Sequence, residues 1–150
     1  MSEPRWLSAQ QERAWRAYIG GSTRLAEQLD RDLRQQHAIS MGEYEILVRL
    51  SDSDGNRLRM ADLAHFVHHS PSRLTHTVAR MEKAGLVVRT SCPEDRRGVF
   101  AEMTKAGNAK LVEAAPTHVA GVRTQLIDVV DPDDMVVIGR AFQAVLDEMG

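Results

Sequence analysis

The stretch "SPSRLTHTVARMEKAGLVVRTSCPEDRRGVF", Ser70 to Phe100, concentrates side chains suited to an anion. Between Pro71 and Met81 there is no acid, while Arg73, Arg80, His76 and the hydroxyls of Ser72, Thr75 and Thr77 recur. On a helical wheel of about 100° per residue, Leu74, Val78 and Met81 gather on one side. Ser72, Thr75, His76, Ala79 and Lys83 face the other way. Arg73 and Arg80 share a flank, and Thr77 lies nearer the core edge. Short hydroxyls and an alanine allow close approach to base edges, and arginine reaches a guanine bidentately or binds a phosphate. A merely solvated face is usually richer in glutamate. Further on, "PEDRRG" sets Arg96 and Arg97 beside Asp95. Narrow minor grooves concentrate negative potential and attract arginine. Asp95 repels phosphate itself, so its expected role is to orient a guanidinium. Arg89, at the base of this hairpin, reads equally as a phosphate contact or a structural cation.

Local signals place these residues on a helix and a hairpin. Ser70 is an N-cap with Pro71 at the first helical position, and Gly85 stops the helix after about Ala84. "LVVRTS" and "GVFAEM" are β-type runs around a Pro/Asp-rich turn. Before them, apolar residues at spacings of three and four predict a long helix over about 8–36. Gly20-Gly21 interrupts it as a weak point, a bend, or a site of close approach by another helix. A second helix is expected over 41–51, then a basic segment and a short helix around Leu63, Ala64 and Val67. Thr104 caps a further helix that Pro116 should kink or interrupt, with helix resuming through Val130. Asp131-Pro132 starts the last one, to about Met149. The order is that of a winged helix-turn-helix: mainly α, about six helices plus a β-hairpin wing. Residues 41–107 form the DNA-binding region, and 1–40 with 108–150 a helical dimerisation region. The long end helices carry more apolar surface than one copy can cover, which points to a homodimer.

Bulk properties agree. The 150 residues suffice for one domain with a real core, at 43% hydrophobic and 27% charged composition. A net charge of −2 announces no nucleic acid, but its distribution says more. From 57 to 110, Lys and Arg outnumber Asp and Glu by ten to five, between acidic flanks. Such a basic middle focuses attraction for an anion on one face. There is no membrane-spanning run and no signal-peptide pattern. The single cysteine, Cys92, forbids an intramolecular disulfide framework. The expected setting is the cytoplasm. No phosphate loop, nucleophile elbow or paired catalytic carboxylates argue for an enzyme, and no cofactor is expected.

Residues 60–107, through "DLA", "S.LT..V.RME..GLV.R", "PEDRRG" and "T..G", resemble the core of the MarR (multiple antibiotic resistance regulator) family. The flanking helices match in length and order. The resemblance implies a homodimeric repressor on a pseudo-palindromic double-stranded operator, with half-sites about one helical turn apart. It places Ser72, Arg73, Thr75, His76, Thr77 and Arg80 on the recognition helix, with Ser70 at its start, and Asp95, Arg96 and Arg97 on the wing. It also implies relief of repression by a small aromatic or phenolic ligand in a crevice beside the dimer helices. Trp15, Tyr18, His37 and Tyr44 are the candidates there, each of which reads equally as core or as a helix end. Two other sensors are disfavoured: Cys92 has no resolving partner, and His65, His68 and His69 sit where their helix ends, so no metal is expected. The alternative to ligand sensing is an effector-independent DNA-binding or protein-interaction module. The sign of regulation stays open.

Overall fold

The structure, a computed structural model, describes the backbone of residues 2–92 and 95–150 and the side chains of residues 2–91 and 98–150. Its elements are α1 (Ala9–His37), α2 (Met41–Ser51), β1 (Arg57–Arg59), α3 (Met60–Phe66), α4 (Pro71–Lys83), β2 (Val87–Cys92), β3 (Asp95–Met103), α5 (Lys105–Val122) and α6 (Pro132–Met149). The strands form one antiparallel sheet in the order β1-β3-β2. The basic segment ahead of α3 is thus the third strand of the wing, with Leu58 opposite Ala101. Phe100 holds it there: the Arg57 and Arg59 guanidiniums lie 4.8 and 5.6 Å from its ring centre.

The core sits where α2, α3 and α4 meet the base of the sheet and the C-terminal half of α1. Leu33, Ile46, Leu47, Leu50, Leu63, Leu74, Val78, Met81 and Val87 are fully buried there. Each such side chain contributes about 1.5–3 kcal/mol of transfer free energy, so this unit is well supplied. By contrast, α6 has no buried residue, and residues 9–21 of α1 are all exposed.

Caps fix how α4 enters and leaves. The Ser70 Oγ accepts the Arg73 N–H at 3.2 Å. At the other end Leu86 N–H donates to the Met81 carbonyl and Gly85 N–H to that of Glu82. Gly85 has φ +78°, the left-handed conformation this closure requires. The turn between α3 and α4 closes the same way, with His69 N–H on Ala64 and His68 N–H on His65. There His68, not a glycine, takes the positive φ, +57°. Thr104 then anchors α5. Its Oγ1 donates to the Gly85 carbonyl at 2.6 Å and accepts the Gly107 N–H at 3.0 Å.

Neither the glycine pair nor Pro116 breaks its helix. α1 runs unbroken through Gly20-Gly21, whose added flexibility costs less than the long helix on either side supplies. α5 runs unbroken through Pro116. The proline faces outward, so the carbonyl one turn before it is left to solvent rather than stranded in the core. The irregularity comes later, as a wide turn over Arg123–Ile127 in which Asp128 N–H reaches the Arg123 carbonyl.

Candidate nucleic-acid interface

α4 stands with Leu74, Val78 and Met81 in the core and Ser70, Ser72, Arg73, Thr75, His76 and Arg80 exposed. The outward ridge therefore carries Ser72, Thr75 and His76, with Arg73 and Arg80 exposed on its flank. Thr75 Oγ1 donates to the Pro71 carbonyl at 2.9 Å, keeping its lone pairs outward-available as acceptors. Thr77 needs correction as a DNA contact. It is 4% exposed, and its hydroxyl donates to the Arg73 carbonyl. The wheel puts it at the core edge, and packing closes over that edge.

Of the two readings open for Arg89, its bonds are those of a structural cation. Its Nε and Nη2 donate to Glu82 Oε1 at 3.2 and 3.0 Å, and its backbone N–H donates to Oε2 at 2.9 Å. The backbone N–H and then the guanidinium lower the Glu82 pKa. The bond ties β2 to the end of α4. Asp95, Arg96 and Arg97, the expected wing contacts, and Cys92 lie outside the described side chains.

Two clefts flank the ridge. On the wing side, Met60, Ala64, Leu74, Thr75 and Val99 line a mainly apolar cavity of about 640 Å³. On the other side, a polar cavity of about 470 Å³ is lined by Asp30 and Arg34 of α1, Ser40 and Gly42 at the start of α2, His69, and Arg73, His76, Thr77 and Arg80 of α4. Burial by itself would raise the Asp30 carboxyl, but the Met41 amide and the Arg34 guanidinium outweigh it and lower its pKa. His69 is pushed down by burial and by Arg73. Asp30, Arg34, Gly42 and His69 escape sequence reading because their closeness to α4 is purely tertiary. No periodicity links residues 30 and 73.

The four ring residues expected to line one crevice fall in three places. Trp15 and Tyr18 are neighbours on exposed α1, and Tyr18 stacks on Phe142 of α6 at 4.8 Å. His37 closes onto α5, with Nε2 2.7 Å from Thr117 Oγ1 and Nδ1 3.2 Å from Glu113. Tyr44 is buried against His118 of α5, ring centres 4.5 Å apart. His65, His68 and His69 do not converge: among the described residues no group of three or more His, Cys, Asp or Glu is placed to hold a metal ion. Among the described residues no helix is long and apolar enough to cross a membrane.

A family model described as the MarR family matches residues 39–99. AbsC, a MarR family transcriptional regulator from Streptomyces coelicolor, is 42% identical, with 97% of this chain and 98% of that one covered at a TM-score of 0.91. Sco3205 from the same organism, described in complex with DNA, is 40% identical over 99% of this chain and 92% of that one, at a TM-score of 0.94. Among curated proteins, the HTH-type transcriptional repressor YetL of Bacillus subtilis is 28% identical over 108 residues. That alignment takes in 70% of this chain, which spans 65% of YetL's length. With two relatives at this identity over nearly their whole length, the chain belongs to the MarR family.

Proposed function

We propose that this protein is a sequence-specific double-stranded-DNA-binding transcriptional regulator, acting in the cytoplasm as a homodimeric repressor on a pseudo-palindromic operator. One observation carries it: α4 offers an exposed, acid-free ridge of hydroxyls and imidazole flanked by two guanidiniums, capped at Ser70 and joined to the wing by Glu82–Arg89. Major-groove reading needs this combination of small polar side chains and cations on a rigid helix. The DNA complex of Sco3205 and the repressor role of YetL support the same direction. Residues 41–107 supply the winged helix, and 1–40 with 108–150 the dimer helices. Trp15, Ile19, Val136, Val145, Leu146 and Met149 are all at least 40% exposed in one copy, an apolar surface that a second copy would cover. The test is selection of genomic fragments by the purified protein, followed by footprinting. Expected is a protected palindrome with half-sites about 10 bp apart centre to centre, or a multiple of it. Weak binding indifferent to sequence overturns the reading.

The reading includes release from DNA by a small aromatic or phenolic ligand. It is supported by His118, whose Nδ1 is buried without a hydrogen-bond partner beside Tyr44, between α2 and α5. A phenolic or carboxylate oxygen entering there would satisfy that nitrogen, with the Tyr44 ring to stack on. Titrating the operator complex with simple phenolic acids checks it. Release from the wild type but not from His118→Phe is the expected result. A complex that no phenolic acid disturbs favours the effector-independent alternative.

A further inference from the structure

The two arginines on the flank of α4 do not point along its outward ridge. Arg80 Nε lies 4.0 Å from Glu43 of α2, which draws it sideways toward that helix. Arg73 is close enough to His69 for its charge to depress the imidazole, and both line the polar cleft against α1 and α2. A third guanidinium, Arg34, enters from α1. Three acids stand nearby, and each is already engaged: Glu45, whose charge reaches His69, faces Arg49 at 3.5 Å. Asp30 Oδ1 accepts the Met41 N–H and Oδ2 the Arg34 Nε, at 2.9 and 2.7 Å, and Glu43 faces Arg80. Among the described residues Arg73 has no acidic partner, and the His69 Nδ1 is buried without a hydrogen-bond partner. The cleft is thus a cationic recess with an unspent guanidinium, lined by an imidazole and opening beside a helix read as entering the major groove.

We propose that this cleft grips a phosphate of the operator backbone, held chiefly by Arg73 with His69, Arg80 and Arg34 around it, so that Arg73 and Arg80 position the protein while Ser72 and Thr75 are left to face the bases. The proposal rests on the DNA-binding reading and goes further: it assigns the flank arginines to affinity and the ridge to specificity. A phosphate fits the recess because it presents acceptor oxygens to several donors at once, whereas a base edge would have to leave the groove floor to enter a cavity walled by α1 and α2.

The test compares wild type, Arg73→Gln and Gly42→Asp on a selected operator and on an unrelated duplex, each over a range of salt. Gly42→Asp puts a negative charge at the cleft wall. The fold should accept it, because its Cβ makes only ordinary contacts, with His69 Cε1 at 3.4 Å and with His69 Nε2 and Ser40 Oγ at 3.8 Å, and an acid in a first helical turn is favourable. For both variants the affinity for the two duplexes should fall by the same factor. For Arg73→Gln the slope of log K against log salt should flatten by about 0.9. Base preference in a selection experiment should stay as in wild type. Loss of preference at one base position with an unchanged slope makes Arg73 a base reader and overturns the proposal. The other source of the same chemistry is a free anion. Inorganic phosphate is titrated alone and followed by the His69 and His76 ring resonances. Saturation by phosphate, together with unaltered DNA affinity in both variants, reassigns the cleft to a small anion and also overturns it. Because the slope is read on unrelated duplex too, failure of wild type to select any operator sinks the regulator reading separately from the cleft.

Discussion

Gly107 offers the sharpest test of how the wing is seated. A Cβ built there lies 2.1 Å from the Leu86 carbonyl oxygen and 2.8 Å from Met103 Cγ. Ordinary C···O approaches are about 3.3 Å, so Gly107→Ala is short by about 1.2 Å against backbone. Met103 can rotate away, but the Leu86 carbonyl cannot, because it accepts the Thr104 N–H at 3.1 Å in the joint that anchors α5. Overpacking of this kind costs about 1–3 kcal/mol, and a clash with a held carbonyl belongs at the upper end. Alanine returns about 1 kcal/mol of helix propensity. The net expected loss is about 2 kcal/mol, a fall of about 4–8 °C in Tm for a chain of this size. Thermal melts of both proteins at one fixed protomer concentration measure it, since dimerisation makes Tm concentration-dependent. Gly139→Ala is the control: nothing lies within 4 Å of its added Cβ, and in the interior of α6 it should gain about 0.4–1 kcal/mol. A Gly107→Ala protein that melts at or above wild type refutes the argument that α5 begins by closing on Leu86.

Three further outcomes follow from the same geometry. Ser70→Ala removes the cap of α4 and should cost about 1 kcal/mol, while Ser70→Gly costs only a few tenths; equal melting of the two variants would show the hydroxyl idle. Glu82→Gln weakens the bond between α4 and β2, so amide exchange at Arg89 should quicken and operator affinity fall while Tm barely moves; unchanged exchange would detach Glu82 from the wing. His69 and His118 are both held below the ordinary imidazole value of 6.5, by burial first. The unfolded chain therefore binds protons before the folded one, and their contribution to stability is present above 6.5 and lost as pH falls below it through the folded values. The urea midpoint should drop over that window, and less so in His118→Gln; parallel curves would refute the assignment.

What was legible in the sequence divides by range. Ser70-Pro71, Gly85 and Asp131-Pro132 mark helix ends through bonds to residues no more than a few positions away, and α4 and α6 begin and end within a residue of where these signals put them. The "T..G" opening of α5 was visible as a pattern. Its cause was not, because Thr104 and Gly107 close on Gly85 and Leu86, across the whole hairpin. The local penalties at Gly20-Gly21 and Pro116 do not decide these helices, since about 1 kcal/mol per glycine is outweighed in a 29-residue helix and an exposed proline strands nothing.

Charge is where local reading stops. Arg73 and Arg89 are the same side chain in one basic stretch, with opposite fates. Glu82 spends Arg89 on joining helix to strand, whereas Arg73 faces an imidazole and a cleft whose acid, Asp30, is already bonded to Arg34 and the Met41 amide. Sequence distance does not separate them: Glu82 is seven residues from Arg89 and nine from Arg73. The chain reverses after Gly85, bringing Arg89 back over the end of α4 and leaving Arg73 one helix length away. A basic count therefore predicts the class of partner. The turns around it decide which cation is still free to meet that partner, and the Arg73 and Glu82 variants should separate accordingly: one loses salt-dependent affinity, the other the rigidity of the wing.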